Sequence, residues 1–482
     1  MSLHLAVLSL YSIALMALGL WIGWGLRGTS DFFVAGRRLG PGLIFATMLA
    51  ANIGAGSTVG ATSTAYRTGV AAWWWVGSAG LGSLALAFWV GPSMRRVAAA
   101  QNLRTVGDYL EYRYDRRVRG TIAVLLWIGS LFILASQLIG LGWILNVVAG
   151  IPKPVGCAIG GVVITVYFAA GGLLTSAWVN VVQLCVKAVG FGIAVPMAIA
   201  WFGGWSSLAA VRSGDAAYWT FAGGDAIRYF VLLAPAFVVS PGLLQKVYGA
   251  ADDRAVRLGV GLNAAGLLLF ASVPTLLGIV ARARFPEIAA TPNMALPMVF
   301  MHGLPPAVGA LALAAVFSAE VSSADAVLFM LATSLSQDLY KRFVHPKASD
   351  RRVLTVARFS TLVSGAIGVG LAIASEDLVQ TLSIFYAVLG VSLFVPIVAG
   401  LYAPKTTSRG AMASIVAGVA GMLIVQIATG GQGYGLLSPA PAGLLLAGAA
   451  WAATLWATPA RAVQESGRQA ERGPGPGGLR RD

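Results

Sequence analysis

The chain has 482 residues, of which 57% are hydrophobic and 11% are charged, and its net charge is +15 at pH 7. Ordinary soluble domains carry about 25% charged residues, so this composition excludes a soluble enzyme. The basic residues lie mostly between long apolar runs, which is typical of a membrane protein and argues against a nucleic-acid partner.

Apolar runs of about 20 residues, the length that crosses a bilayer, recur from one end of the chain to the other. They predict an all-α, polytopic membrane protein with about thirteen transmembrane helices. The predicted spans are 3–25, 40–66, 71–95, 120–149, 154–172, 176–203, 226–249, 257–281, 304–339, 353–374, 378–402, 410–430 and 438–459. The first run lacks a basic leader and is longer than the apolar part of a signal peptide, so we expect a retained helix.

The second span contains helix-breaking residues in its middle. Its stretch "AANIGAGS", residues 50–57, combines the amide of Asn52, two glycines and the hydroxyl of Ser57. Gly54 and Gly56 lower the free-energy cost of unwinding a helix. This pattern predicts a break in the backbone near the middle of the span.

The seventh span is interrupted by Pro235, Pro241 and Gly242. Irregular backbone at membrane depth is tolerated only inside protein or beside a cavity, and breaks at matching places in two halves point to a transporter binding site. Spans two to six and seven to eleven each open with such a break, and five spans per set give the two sets opposite orientations. We predict a 5+5 inverted repeat, although each break alone could be a mild kink or a packing site for small residues.

Lys and Arg residues are distributed unevenly between the two sides of these spans. With the N-terminus outside, about 25 of the 33 Lys and Arg residues fall in cytoplasmic segments and about 6 fall outside. This asymmetry predicts a multi-pass protein of the plasma (inner) membrane with a cytoplasmic C-terminus. The basic stretch 105–120 is amphipathic and predicts a helix on the cytoplasmic membrane surface.

The predicted spans divide the chain into four parts. They are an N-terminal extra helix and loop (1–39), a ten-helix transporter core (40–402, with repeats 40–203 and 226–402), two peripheral helices (403–460) and a disordered tail (461–482).

Five segments in order resemble the sodium:solute symporter family. They are "DFFVAGRRLGPG" before the first core helix, "AANIGAG" at its break, "GGLLTSAWVNVVQ", "LLQKVYGAADDRAVRLG" at the end of the sixth core helix and "AEVSSADAVLFMLATSLSQDLYKRF" on the eighth. The resemblance covers about residues 30 to 405. It implies a LeuT-like fold and sodium-coupled transport of a solute.

The resemblance assigns a sodium site to the stretch "FSAEVSSADAV", residues 317–327. In the family, one sodium ion binds between the first and eighth core helices. The matching oxygens here are the carbonyls of Ala50, Ile53 and Ala319 and the hydroxyls of Ser322 and Ser323. A hard cation prefers several oxygen ligands, and a broken helix frees carbonyls for it. The two serines could instead bond to their own helix or serve close helix packing.

Two positions depart from the family's pattern. The family's aspartate in its Trp-x-Asp-x-x-Gln segment, which helps to hold a second sodium in some members, is Asn180 here, so we favour one ion. Glu320 replaces an apolar residue and could tune the ion site, carry a proton, contact a cationic solute or pair structurally with Lys187 or Arg358. Asp325 matches an aspartate of related members and could hydrogen-bond an unwound segment.

The solute is less well defined by the sequence. The resemblance implies that sugar-transporting members use a carboxylate in the second core helix, and the matching stretch "AAWWWVGSAG" holds no acid, which disfavours a sugar. Choline-transporting members place aromatic residues near Asn52 and Ser240 to cage a quaternary ammonium, and this chain does not. The tryptophans of "AAWWWVGSAG" are more typical of an interfacial belt, and the half-helix N-termini favour a small polar or carboxylate-bearing solute. The candidate solute contacts are Asn52, Gly54, Ser57, Trp74, Ser240 and Gln245.

The predicted function is symport of a small organic solute with sodium into the cell by alternating access, by a protein that works as a monomer in contact with lipid. A sensory or receptor domain of the same fold, or a proton-coupled symporter, is the alternative. The sequence shows no Ser/His/Asp set, metal-ligand spacing or phosphate-binding loop, which argues against a membrane enzyme.

Overall fold

A computed structural model describes residues 3–23, 37, 39–169, 173–210 and 216–457. The α-helices are α1 (Leu3–Gly23), α2 (Pro41–Asn52), α3 (Ala61–Thr68), α4 (Trp73–Ala85), α5 (Gly91–Ala100), α6 (Val106–Arg113), α7 (Arg116–Ala149), α8 (Lys153–Ala169), α9 (Leu173–Phe202), α10 (Gly204–Ala210), α11 (Gly224–Val239), α12 (Pro241–Tyr248), α13 (Asp253–Phe270), α14 (Ser272–Arg284), α15 (Ala295–His302), α16 (Pro306–Thr333), α17 (Asp350–Ala374), α18 (Leu378–Tyr402), α19 (Ser408–Thr429) and α20 (Pro439–Ala457).

The predicted all-helical, polytopic architecture is confirmed. Nine helical segments in the described ranges are long and apolar enough to cross a membrane, and three shorter apolar helices accompany them. Across the same ranges, β-pairing is limited to isolated bridges. The predicted tail 461–482 and most of the segment 31–38 lie outside the described residues.

Helix α16 lies at the centre of the helical bundle. In its segment, 83% of the most apolar window is buried inside the protein, against 33–61% in the other eight candidate spans. It packs against α9, α7, α1, α17 and α2. The polar residues of α16 are therefore surrounded by other helices and not by lipid, which is where intramembrane polar groups are tolerated.

Both predicted helix interruptions are found. Helix α2 ends at Asn52, where Ile53 leaves the helical conformation (φ −87°, ψ 89°), and the chain resumes through a π-helical turn, Gly56–Gly60, into α3. Helix α11 ends before Ser240 (φ −55°, ψ 121°), and α12 begins at Pro241. Proline suits a first helical position because it needs no helical N–H partner there.

The amphipathic stretch after α5 forms α6, as its pattern predicts. A reciprocal capping box between Thr105 and Asp108 begins the helix. Tyr109 and Leu110 are 1% and 0% exposed, however. The apolar face of α6 therefore packs against the protein and not against the membrane surface.

A network of arginine and carboxylate side chains joins α6 to the π-helical continuation of α16, Ser334–Val344. The guanidinium of Arg119 lies 2.9 Å from Asp108, 3.0 Å from Glu111 and 2.7 Å from Asp338. Burial raises the pKa of Glu111, but hydrogen bonds from Arg342 and Arg119 offset this and leave it below its ordinary value. This network closes one end of the helical bundle.

Candidate functional site

The backbone groups freed at the first break are satisfied by side chains from other elements. Trp75 Nε1 donates to the carbonyl of Gly56 at 2.8 Å, and Gln137 Oε1 accepts from the amide of Ala55 at 2.9 Å. Ser57 Oγ lies 2.9 Å from the carbonyl of Asn52. These bonds explain how an unwound segment persists inside a helical bundle, where unpaired backbone groups are costly.

The two serines of α16 face this break. Ser322 Oγ lies 2.8 Å from the carbonyl oxygen of Ala50 and 3.1 Å from that of Ala319. Ser323 Oγ donates to the carbonyl of Ala51 at 2.6 Å and lines the central cavity. The predicted ligands Ala50, Ala319 and Ser322 therefore lie together between α2 and α16, whereas Ser323 bonds to a carbonyl outside the predicted set.

A lysine ammonium lies among these oxygens. Lys187, on α9, is 1% exposed, and its Nζ donates to the carbonyl of Ala50 at 2.6 Å and to that of Ile53 at 3.1 Å. A third bond goes to Ser322 Oγ at 2.6 Å. Three of the five predicted sodium ligands thus bind the amine, and its three N–H donors are all used.

The arrangement supplies oxygen ligands of the kind that a sodium ion needs. The amine of Lys187, however, occupies the position that the ion would take. An ion on these oxygens would share Ala50 and Ser322 with a positive group that already sits 2.6 Å from both. Two unit charges that close repel strongly in a buried site. With Lys187 in this position, the residues do not fit a sodium ion at the break.

Glu320 lies close to the same site on α16 and is 0% exposed. Its Oε1 accepts from Thr58 Oγ1 at 3.2 Å, while Oε2 has no hydrogen-bond partner in the described part of the chain. A Cβ at Gly140 would lie 3.0 Å from the carboxyl group, so a glycine of α7 makes room for it. Glu320 attracts the charge of Lys187 electrostatically.

At the second break the chain passes directly from α11 into α12. The carbonyl of Ser240 accepts from the amides of Leu243 and Leu244 at 3.1 and 2.8 Å, which begins α12 in regular helical geometry. Lys246, 5% exposed, donates to the carbonyl of Thr47 at 3.0 Å and so joins α12 to α2. Asp325 attracts the charge of Lys246.

A cavity lies between the two breaks. Its polar lining comprises Asn52, Ser57, Gln137, Ser240, Lys246 and Ser323, and its aromatic lining comprises Trp75, Phe237, Phe385 and Tyr386. Among the described lining residues, Lys246 alone has a charged side chain. A mostly apolar wall with a few convergent polar groups is the usual form of a small-molecule site.

The predicted solute contacts lie in three different places. Asn52, Gly54, Ser57 and Ser240 line the central cavity. Trp74 lies outside it: its ring packs against Trp73 and Phe221, and its Nε1 donates to the carbonyl of Phe221.

Gln245, the remaining predicted contact, lines a second, smaller cavity together with Asp338. Met330 and Phe385 line both cavities and separate them. Gln245 therefore lies on the side of the central cavity that faces the network of Arg119 and Asp338.

The other predicted coupling residues are buried, but outside the cavity lining. Asn180 is 2% exposed on α9 and Asp325 is 4% exposed on α16. Arg358, a suggested partner of Glu320, has an exposed side chain on α17.

Sequence reasoning missed three contributors to the site. Lys187 was considered only as a partner for Glu320, Trp75 only as one of three tryptophans, and Gln137 not at all. A basic residue inside an otherwise apolar span is a local signal for Lys187. Gln137 gives no comparable signal, because its partner is a backbone amide 82 positions away.

Comparison with known proteins matches this geometry to a family. A family model described as "Sodium:solute symporter family" matches residues 32–418. The chain is 25% identical over 473 residues to a sodium/glucose cotransporter of Vibrio parahaemolyticus, covering 86% of this chain and 84% of that protein. It is 23% identical over 471 residues to the high affinity choline transporter 1 of Homo sapiens, covering 90% and 78%.

A solved structure gives the same picture for the fold. The substrate-bound, outward-open state of a Na⁺-coupled sialic acid symporter aligns with a TM-score of 0.79 at 18% identity, covering 94% of this chain and 97% of that one.

Proposed function

Because the chain belongs to the sodium:solute symporter family, a family of sodium-coupled membrane transporters and not of enzymes, we propose that the cavity between its two broken helices is its solute site. Alternating access to this cavity carries a small organic solute into the cell. The fold is LeuT-like, as in its structural relatives.

One observation carries this proposal. Neighbouring residues of α16 face the cation position and the cavity: Ser322 binds the ammonium of Lys187, and Ser323 lines the cavity. A solute that moves Ser323 therefore also changes the geometry around the cation. Differential binding of this kind between conformations is what couples two sites.

The lining points to the chemistry of the solute. Lys246 attracts an anionic group, although Asp325 offsets part of its charge. Asn52, Ser57 and Ser240 add hydrogen-bonding groups. Trp75, Phe237, Phe385 and Tyr386 give the lining the aromatic faces that the sequence did not predict near the breaks. The positive charge of Lys246 nevertheless repels a quaternary ammonium, so a small polar solute that carries a carboxylate suits this set better.

The route out of the cavity follows from the second, smaller cavity. Met330 and Phe385 separate the two cavities, so a shift of these two side chains opens one into the other. The network of Arg119 and Asp338 closes the far end. With the N-terminus outside and the C-terminus cytoplasmic, this end is the inner gate.

The finer architecture belongs to the same proposal. Residues 40–203 and 226–402 form the inverted repeats, with the broken α2–α3 and α11–α12 as first and sixth core helices. Residues 1–39 and 403–460 are peripheral, and the protein works as a monomer in the plasma (inner) membrane.

No more than one sodium ion is expected per transported solute. The amide of Asn180 replaces the carboxylate that supports a second ion in some relatives, and a neutral amide binds a cation less well. A Hill coefficient near two for sodium in solute uptake would contradict this part of the proposal.

A solute screen tests the function directly. Purified protein is tested by thermal shift against small organic acids, amino acids, sugars and quaternary ammonium compounds, and hits are assayed for solute counterflow in proteoliposomes. Ser240→Ala and Asn52→Ala are expected to weaken binding of the hit about tenfold or more. A hit whose affinity is unchanged in both variants would show that it binds outside the cavity.

A further inference from the structure

Lys187 is a buried basic residue that the proposed transport cycle does not use. It lies on α9, with its amine between α2 and α16, at the position where the resemblance places a sodium ion. Burying an ammonium is costly unless it is fully hydrogen-bonded. Its three bonds, to Ala50, Ile53 and Ser322, meet that condition.

The amine reproduces what sodium would contribute at this place. It carries one positive charge, and it joins freed carbonyls of the unwound segment to a hydroxyl of α16. These are the interactions by which a bound cation would hold α2 against α16. A lysine differs in one respect: its cation is covalently attached and cannot leave with the solute.

We propose that the ammonium of Lys187 takes the place of the sodium ion at the first helix break, so that this member of the family fills the site with its own cation. The inference deepens the proposed function, since it concerns the cation site beside the proposed solute cavity. The break is then held together without sodium, and solute passes through the cavity without moving an ion from this site.

Two charged side chains act on the amine of Lys187. Glu320 on α16 attracts the ammonium, and Lys246 on α12 repels it. An acid is the group that a tethered buried cation requires for compensation. Glu320, which departs from the family's apolar pattern, is the acid that acts on Lys187.

Other ionisable groups on the helices around α9 are engaged elsewhere. Helices α2 and α10 carry no ionisable side chain. The groups on α1, α14 and α15 face other partners: His4 faces His302, Tyr11 faces Ser318, Arg282 lies over the ring of Tyr218 and Arg284 over that of Trp201. Glu320 and Lys246 are therefore the charges that act on the amine.

The test measures binding of radioactive sodium to purified protein, together with the melting temperature in sodium chloride and in N-methyl-D-glucamine chloride at equal ionic strength. Wild-type protein is expected to bind no saturable sodium and to melt at the same temperature in both salts. Lys187→Ala opens the oxygen shell, so it is expected to bind sodium saturably, which wild type does not, and to be stabilised by it. Ser322→Ala added to Lys187→Ala should abolish that gain.

Cys185→Ala is the matched control. Cys185 lies two positions away on the same helix with an exposed side chain, and its variant should behave like wild type. Saturable sodium binding to wild-type protein that is lost in Ser322→Ala would overturn the proposal. A folded Lys187→Ala protein that binds no sodium would also overturn it, because the lysine would then not be replacing an ion.

The wild-type measurement needs no change at Lys187, so the proposal remains testable if Lys187→Ala does not fold. Solute counterflow separates this inference from the proposed function. Counterflow at the same rate with and without sodium supports the inference. Counterflow that requires sodium on both sides contradicts it, while the proposed solute site stands. Failure of every solute to exchange would contradict the proposed function, and sodium binding would still decide the inference.

Discussion

The two helix breaks are built by different means. At the first, the chain unwinds between Asn52 and Gly56, and the freed groups bond to side chains from α4, α7, α9 and α16. At the second, Pro241 starts a new helix immediately after Ser240, and the carbonyl of Ser240 is satisfied by the first amides of α12. The first break depends on tertiary contacts, whereas the second is largely local.

The buried lysines beside the two breaks differ in the same way. Lys187 makes three hydrogen bonds and bridges α2 to α16, whereas Lys246 donates to one carbonyl, that of Thr47, and lines the cavity. Lys187 therefore holds a broken segment in place, whereas Lys246 is available to contact a solute in the cavity. The two regions of the molecule are expected to respond differently to equivalent substitutions.

Removing the lysines should show the largest difference. Lys187→Ala loses three hydrogen bonds from a charged donor and the charge that faces Glu320, so in sodium-free buffer it should lower the free energy of unfolding by about 3–5 kcal/mol. Lys246→Ala loses its hydrogen bond to Thr47 and the charge that faces Asp325, but it frees no carbonyl of an unwound segment, so it should cost about 1.5–3 kcal/mol. Denaturant titration in detergent measures both values. Equal losses would mean that Lys187 does not hold the break.

Adding a methyl group to a glycine at each break should produce the next largest difference. A Cβ at Gly54 would collide with the side chain of Ser323 and come within 3.0 Å of Gln137 Oε1. Gly54→Ala should therefore cost about 1–3 kcal/mol through overpacking. A Cβ at Gly242 would meet only the flexible end of Met330, with Sδ at 3.1 Å.

Gly242→Ala is accordingly expected to cost less than about 1 kcal/mol. Melting temperatures of the two variants provide the comparison. If Gly242→Ala proved the more damaging of the two, the second break would also depend on close tertiary packing.

Glu320 allows the charge compensation at the first break to be measured. Glu320→Gln keeps the shape and the acceptor for Thr58 but removes the charge that attracts Lys187, so a loss of about 1–2 kcal/mol is expected. In a Lys187→Met background the same change should cost less by about 1 kcal/mol. A double-mutant cycle by denaturant titration gives this coupling, and a coupling of zero would make Glu320 independent of the cation.

The adjacent tryptophans give the smallest expected effect. Trp75→Phe removes the indole donor to Gly56 from a buried site and should cost about 1 kcal/mol, and it should also weaken binding of a cavity solute. Trp74 donates to Phe221 in an exposed setting, so Trp74→Phe should stay within about 0.5 kcal/mol. Loss of solute binding in Trp74→Phe but not in Trp75→Phe would restore Trp74 as the solute contact.

The sequence alone was sufficient for the helical, multi-pass architecture and the position of both breaks. These features depend on local chemistry: apolar runs of bilayer length, glycines that lower the cost of unwinding, and prolines that cannot continue a helix. That Ala50, Ile53 and Ser322 lie close together also followed from the sequence, through the resemblance of its motifs to a family.

Only the tertiary structure decided what lies among those oxygens. Lys187 is separated from Ala50 by 137 positions and from Ser322 by 135, and no local pattern indicates that its amine reaches both. The choice between Trp74 and Trp75 depended on tertiary structure too, since each residue along an α-helix is rotated by about 100° from the one before it. Which of two neighbours faces a cavity is set by how the whole helix packs, and that is determined by contacts between segments far apart in the chain.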